Sequence, residues 1–136
     1  MKIDQEYLKG LLEAFEASNT PTTDIQELEQ AGFSYQEDKF IFHLSILADQ
    51  NFVECEQGHG LGYQKGADGY ISWSVVPLRL TAYGHEFLEA LRNSEVWDTI
   101  KSEFKDASIG TLWRVSKELL EGYSKKKVTS LLGADE

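Results

Sequence analysis

The side chains best suited to bind a metal ion are three histidines and a single cysteine. Cys55 and His59 stand four positions apart and could supply two ligands to zinc, but a structural zinc site needs four. No second pair of such residues lies nearby. His85 and Glu89 are spaced i, i+4, which is typical of a surface or capping contact. His43 lies on the flank of a helical pattern, where we expect it half-buried and hydrogen-bonded. We therefore predict no metal site.

The glycine-rich run from Gly58 to Gly62 has the composition of a phosphate-binding loop without its pattern. It lacks the Gly-Lys-Ser/Thr ending, and it leads toward a strand pattern instead of opening a helix. No Gly-x-Ser-x-Gly nucleophile elbow occurs in the chain. The carboxylates are numerous but follow patterns typical of solvated helices. We therefore predict a non-catalytic protein that needs no cofactor.

Charge is distributed unevenly along the chain. Residues 1–64 carry 3 basic and 12 acidic side chains, a net charge of −9. Residues 65–136 carry 10 basic and 11 acidic side chains, a net charge of −1. Affinity for nucleic acid depends largely on the neutralisation of phosphates by Lys and Arg. The acidity therefore disfavours nucleic acid, and it serves either solubility alone or a functional acidic surface.

Helical periodicity and capping signals divide the first fifty residues into three helices. Apolar residues recur at helical spacing from Asp4 to Ala17, and a turn-forming stretch around Pro21 follows. Capping-box patterns at Thr23 and Ser34 predict the starts of a second and a third helix, with Gly32 ending the second. Two helices joined by a tight glycine-containing turn are typical of a helix-turn-helix.

The third helix, from about Tyr35 to Gln50, has an outer face that is unusual for a DNA reader. Its inner face should contain Phe40, Leu44, Leu47 and Ala48. The outer face presents Phe42 and Ile46 at i, i+4 spacing with Asp49 beside them. A DNA-reading helix would carry Arg, Lys, Asn or Gln there, whereas Lys39 is the only base in this helix. We predict that Phe42, Ile46 and Asp49 bind a partner, unless another part of the chain covers them.

The second half of the chain begins with strand patterns and continues with helices. Alternation predicts strands at residues 52–56 and 70–76, with Ile71, Trp73 and Val75 on one face of the second strand. A glycine-rich wing at about 57–69 joins the two strands, and Pro77 ends the regular pairing or marks an edge. Three N-caps are predicted, each followed by an apolar stripe: Thr81, Ser94 and Ser108. The stripe after Thr81 comprises Tyr83, Phe87, Leu88 and Leu91.

These elements predict a mostly helical α+β fold in a single domain, residues 1–136. Residues 1–80 would form a winged helix-turn-helix core of three helices and a β-hairpin wing. Residues 81–136 would form a C-terminal helical extension. The length of 136 residues, with 41% hydrophobic side chains, is enough for one hydrophobic core.

The run from Arg79 to Arg92 (RLTAYGHEFLEALR), followed by Trp97 and Lys101, is distinctive. It resembles an uncharacterised family of small bacterial and phage-encoded proteins, known only as a domain of unknown function. The similarity extends to the N-terminal helix, to His43-Leu44 and to the lysine-rich end of the last helix. The pattern from Leu80 to Leu88 also looks like the strand-to-helix junction of winged-helix regulators. The resemblance supports the fold and implies no catalytic residue.

Three features of the sequence bear on the cellular compartment of the protein. The N-terminus has no secretory apolar segment, and no run is long and apolar enough to span a bilayer. A lone cysteine, Cys55, forms no internal disulfide and suits a reducing environment. We expect a cytoplasmic protein without membrane contact.

Two functions remain open on the sequence. The first is a protein-interaction module of phage or mobile-element origin that regulates or inhibits a host protein. In a sharper form of this hypothesis, the acidic face imitates DNA. The second is a DNA-binding transcriptional regulator, for which the candidate contacts are Lys39, Lys65, Arg79, Lys125, Lys126 and Lys127.

The large side chains of the last helix bear on the oligomeric state. This helix carries more large apolar side chains than a solvated surface usually has, among them Trp113, Leu120 and Tyr123. They must therefore be buried within the chain or against a second copy. We favour a homodimer through the C-terminal helices. A protein of unknown identity is the expected partner, and nucleic acid is less favoured.

Overall fold

A computed structural model of the chain describes residues 1–58 and 60–133. The described residues form a mostly helical α+β structure with six α-helices and four short β-strands. In chain order the elements are α1 (Gln5–Glu16), α2 (Ile25–Gln30), α3 (Asp38–Asp49), β1 (Val53–Cys55), β2 (Tyr63–Lys65), β3 (Ile71–Trp73), β4 (Leu78–Leu80), α4 (Ala82–Arg92), α5 (Ser94–Glu103) and α6 (Ile109–Leu131). Across these residues, no helix is long and apolar enough to cross a membrane.

The strands form two small antiparallel sheets, and their pairing differs from the predicted one. β1 pairs with β4, with Val53 opposite Leu80, whereas β2 and β3 form a separate hairpin inserted between them. The predicted wing loop at 57–69 is therefore wrong in part, because it contains β2. Pro77 does not end the pairing, since the partner of β1 begins at the next residue.

Main-chain hydrogen bonds join the segment before α2 to the last strand. The Thr23 N–H donates to the Leu78 carbonyl over 2.7 Å, and the Leu78 N–H donates to the Thr23 carbonyl over 2.8 Å. This bridge places Thr23 in the ladder, so that its role differs from the predicted helix cap. Asp24 caps α2 instead, accepting from the Gln26 and Glu27 amides over 2.9 Å each.

Side-chain caps fix most of the other helix starts. Thr81 and Ser108 cap α4 and α6 as predicted, whereas Asn93, and not Ser94, caps α5. The third helix starts later than predicted, at Asp38, because the Ser34 hydroxyl accepts from the Gln36 amide in a preceding turn. The left-handed backbone of Gly32 (φ 101°) ends α2 as predicted, and the left-handed backbone of Asn51 (φ 61°) follows the end of α3.

One hydrophobic core joins all six helices and the β1–β4 sheet. The Phe52 ring stacks on Phe87 with ring centroids 4.7 Å apart, and Trp113 of α6 packs edge-on against both rings. The predicted inner residues of α3 are buried, apart from the half-buried Ala48. Tyr83 was wrongly predicted to lie in the buried stripe of α4, since its side chain is 58% exposed.

The large residues of α6 are partly accommodated within the same chain. Leu112 and Val115 are buried, and Trp113, Leu120 and Tyr123 are half-buried against the core. A second copy is therefore not required to shield them, although the prediction of a homodimer stays a prediction.

Candidate interaction surface

A groove of about 620 Å³ lies between the α2–α3 unit and the β2–β3 hairpin. We call it the hairpin groove. Its polar wall includes Gln26, Gln36 and Asp38. Its apolar and aromatic lining includes Tyr35, Ile41, Tyr70, Ile71, Trp73 and Val75. The groove therefore offers both polar groups and aromatic surface to another molecule.

The hairpin is held in place by aromatic contacts with the start of α3. The Trp73 ring lies 5.1 Å from Tyr63, 5.9 Å from Tyr35 and 5.8 Å from Phe40, measured between ring centroids. The hydroxyls of Ser45 on α3 and Tyr63 on β2 are 3.3 Å apart. One face of the hairpin is thus fixed against α3, and the groove has defined walls.

The hairpin also presents apolar side chains to solvent. Tyr70 is 77% exposed, and Ile71 and Val75 are also exposed. Ile71, Trp73 and Val75 all line the groove, which agrees with the alternation in the sequence that put them on one face. Adjacent exposed apolar residues beside a groove mark a candidate contact surface for another molecule.

The predicted partner-binding residues on α3 are less available than their spacing suggested. Ile46 packs against the core, and the half-buried Phe42 ring lies 5.1 Å from the His43 ring, edge to face. Asp49 is exposed. The exposed apolar residues of this region therefore lie on the hairpin. Sequence reasoning noticed the alternation there but did not assign it to a contact surface.

The α2–α3 unit is strongly acidic in the folded protein. Between residues 23 and 50 the chain carries six acidic side chains and one base. Among the residues that the structure describes, the six make no ion pair: Asp24, Glu27, Glu29, Glu37, Asp38 and Asp49. The unit therefore presents uncompensated negative charge next to the hairpin groove.

The one base of that unit is engaged within the chain. The Lys39 Nζ lies 2.7 Å from the Asp4 Oδ2 and 4.9 Å from the centre of the Tyr7 ring. This hydrogen bond, together with one from the Tyr7 amide, lowers the pKa of Asp4 below its usual value. Lys39 is therefore already paired with a carboxylate, which offsets its positive charge.

The other predicted nucleic-acid contacts lie in separate surroundings. Arg79 pairs with Glu54 across the β1–β4 sheet, with Nη2 and Oε2 2.8 Å apart. Lys65 is exposed at the end of β2. Lys126 and Lys127 line a different groove, beside the α4–α5 junction at Asn93, Ser94 and Glu95, and Lys125 is exposed next to them.

Neither His43 nor His85, the two histidines that the structure describes, belongs to a metal-binding arrangement. His43 is fully buried, and not half-buried as predicted. Its Nε2 accepts from the Asp4 amide over 2.9 Å, and its Nδ1 lies 2.8 Å from the Lys39 carbonyl oxygen, to which it donates. Burial lowers the pKa of His43, and both ring nitrogens are occupied. His85 and Glu89 are exposed on α4, as predicted.

The considered Cys55–His59 pair falls partly outside the described residues, because His59 is not among them. Within residues 1–58 and 60–133, no group of three His, Cys, Asp or Glu side chains is arranged to hold a metal ion.

The helices and the two small sheets define a mostly helical α+β protein with an acidic, aromatic groove. The chain belongs to the family described as a hypothetical protein, DUF2513, whose model matches residues 2–110. This confirms the resemblance to a domain of unknown function. No curated protein and no solved structure matches the chain significantly.

Proposed function

We propose that this protein is a non-catalytic interaction module on a winged-helix frame. In this proposal, the hairpin groove and the adjacent acidic α2–α3 unit bind a protein segment that carries basic and apolar side chains. Binding would regulate or inhibit that partner. We assign this role to the cytoplasm, where the single buried thiol of Cys55 would remain reduced.

The order of elements supports the winged-helix part of the proposal. Three helices precede β1, and the β2–β3 hairpin lies between β1 and β4 along the chain. The Thr23–Leu78 bridge adds a short third segment to the β1–β4 sheet. In such a frame α3 occupies the position of a recognition helix and the hairpin that of the wing. Fold alone does not fix function, so the chemistry of this surface has to decide it.

The observation that carries the proposal is the chemistry of the α3–hairpin surface. A DNA-binding protein needs cations on this surface to contact phosphates. Here Lys39 is paired with Asp4, and the stretch from residue 23 to residue 50 that contains it carries six carboxylates. Exposed Tyr70 and Val75 offer apolar anchors beside that negative charge. Aromatic anchors with complementary charge around them are typical of protein–protein contacts.

The proposal is tested by affinity capture from a bacterial lysate treated with nuclease, followed by quantitative mass spectrometry. We compare the unmodified protein with a Tyr70→Ser/Val75→Ser variant. Tyr83→Ser is the matched control, since it removes an exposed tyrosine from α4, outside the groove. A specific partner should be captured by the unmodified protein and by Tyr83→Ser, and lost with Tyr70→Ser/Val75→Ser. Equal capture by both variants would overturn the proposal.

DNA binding is the alternative function, favoured by the winged-helix order of elements and by the exposed Lys65 on the hairpin. Fluorescence anisotropy with duplex DNA at about 50 and 200 mM salt distinguishes the two, because phosphate contacts make affinity fall steeply with salt. We expect no saturable binding at either concentration. Salt-sensitive binding that is lost on Lys65→Glu would make the regulator the better proposal.

A further inference from the structure

The last two turns of α6 differ from the rest of that helix. Its first half is packed on the core through Leu112, Val115 and Ser116. From Lys125 to Leu132, a segment that we call the α6 tail, nearly all side chains are exposed. Leu131 and Leu132 are each 76% exposed, and Val128 is exposed as well. Exposed leucines on a formed helix point to a contact outside the fold.

The α6 tail combines the two kinds of side chain that the hairpin groove would accept. Lys125, Lys126 and Lys127 supply positive charge, and Val128, Leu131 and Leu132 supply apolar surface. The groove supplies aromatic walls and the carboxylate of Asp38, which makes no ion pair among the described residues, and the rest of the acidic α2–α3 unit adjoins it. The segment is already helical within the described residues, so it pays little conformational entropy on binding.

We infer that the hairpin groove of one copy binds the α6 tail of a second copy. This inference rests on the proposed function of the groove, and it names a second copy of this chain as one occupant. The occupant is argued from charge and apolar complementarity between the two surfaces. Like-charged tails would repel one another in parallel pairing, whereas a tail and a groove attract.

The two surfaces are separate within one copy. Lys126 and Lys127 of the tail line a groove with Asn93, Ser94 and Glu95, and none of these residues lines the hairpin groove. The proposed contact therefore joins different patches of the two copies. Such a heterologous contact closes into a small ring or extends into a chain, depending on the rotation between copies.

The contact is tested by sedimentation velocity over a series of protein concentrations. Leu131→Ser/Leu132→Ser alters the tail, Tyr70→Ser/Val75→Ser alters the groove, and Tyr83→Ser is the control. The unmodified protein and the control should self-associate with increasing concentration. Each double variant alone should weaken self-association at least tenfold, which corresponds to about 1.4 kcal/mol.

Mixing the two double variants distinguishes this contact from other modes of pairing. The tail variant retains an intact groove, and the groove variant retains an intact tail, so an equimolar mixture should recover a complex of the two. Tail-to-tail pairing would be lost with the tail variant and unaffected by the groove variant, and mixing would not restore it. That pattern overturns the inference.

Failure of the inference can be told apart from failure of the proposed function. A protein that stays monomeric at every concentration overturns the tail-to-groove contact. If its capture of a lysate partner is still lost with Tyr70→Ser/Val75→Ser, the groove remains a protein-binding site for another molecule.

Discussion

The main-chain amide of Asp4 donates a hydrogen bond to Nε2 of His43, and the two nitrogens are 2.9 Å apart. The bond ties the start of α1 to the middle of α3. It requires a neutral imidazole, because a protonated Nε2 could not accept. The second ring nitrogen donates to the Lys39 carbonyl oxygen, which fixes the tautomer.

This relationship predicts a loss of stability in mild acid. Burial lowers the pKa of His43 in the folded chain below its ordinary value of about 6.5. Since the unfolded chain then binds the proton more readily, the contribution of His43 is present in full above about pH 6.5. It is lost as pH falls from there toward the folded pKa, at up to about 1.4 kcal/mol per pH unit.

Urea denaturation between about pH 8 and 5 measures this effect. His43→Gln should flatten the pH dependence of the free energy of unfolding, and His85→Gln, which changes an exposed histidine, should leave it as it is. Asp4 does not interfere, because its lowered pKa moves its own loss of stability to below about pH 4. An unchanged slope in His43→Gln would contradict the prediction.

Gly84 is predicted to tolerate no side chain. A Cβ added at this position would lie 2.1 Å from the Phe52 carbonyl oxygen. Any side chain there would therefore force the backbone of α4 away from Phe52. Gly84→Ala should lower the free energy of unfolding by about 3 kcal/mol or more. The control is Gly122→Ala in α6, where nothing lies within 4 Å of the added carbon. That change should stabilise the chain by about 0.5–1 kcal/mol, as measured by chemical denaturation.

The Tyr7 hydroxyl is predicted to be dispensable for stability. It is buried, and among the described residues it has no hydrogen-bond partner. Burial raises the pKa of Tyr7 to about 12. Tyr7→Phe keeps the ring contacts with Phe33 and His43, so thermal and chemical denaturation should show unchanged stability or a gain of up to about 1 kcal/mol.

The contrasting change is Tyr63→Phe, which removes the hydroxyl that lies 3.3 Å from the Ser45 hydroxyl. It should cost about 0.5–1.5 kcal/mol. A loss of stability in Tyr7→Phe as large as that in Tyr63→Phe would contradict the prediction.

Trp73 is predicted to hold the hairpin against α3. Its contacts with Tyr35, Phe40 and Tyr63 are worth about 0.5–1.5 kcal/mol each. Trp73→Ala should therefore speed amide hydrogen exchange in residues 62–74 by about tenfold or more. Protection of α1 and α4, which lie in the core, should change much less. A uniform loss of protection would show instead that the hairpin unfolds together with the core.

The helices could be predicted from the sequence because their signals are local. Thr81 and Ser108 act on amides within three residues, and the stripe from Leu8 to Phe15 repeats with the period of one helix. The strand pairing could not be predicted. Each strand has three residues, too few to alternate distinctly, and the partner of β1 is selected by the distant bridge between Thr23 and Leu78.

The candidate surface was predictable only in its charge. The acidity of residues 23–50 is a property of composition, but the covering of α3 is a tertiary effect. A helical wheel puts Phe42 and Ile46 outside, whereas in the folded chain Ile46 packs on the core and the hairpin contacts Ser45. The prediction that Tyr83 is buried was wrong for the converse reason. Its spacing fits the apolar stripe of α4, but its ring lies outside the packed region.

The Thr23–Leu78 bridge also governs the order in which the molecule can fold. The first three helices are synthesised before β4, so the segment between α1 and α2 has no strand partner until β4 has been made. Contacts between residues so far apart along the chain close late, because the intervening loop must first lose its entropy. The acidic surface therefore reaches its final shape only after the chain has been made through Leu80, when α2, α3 and the hairpin are fixed together.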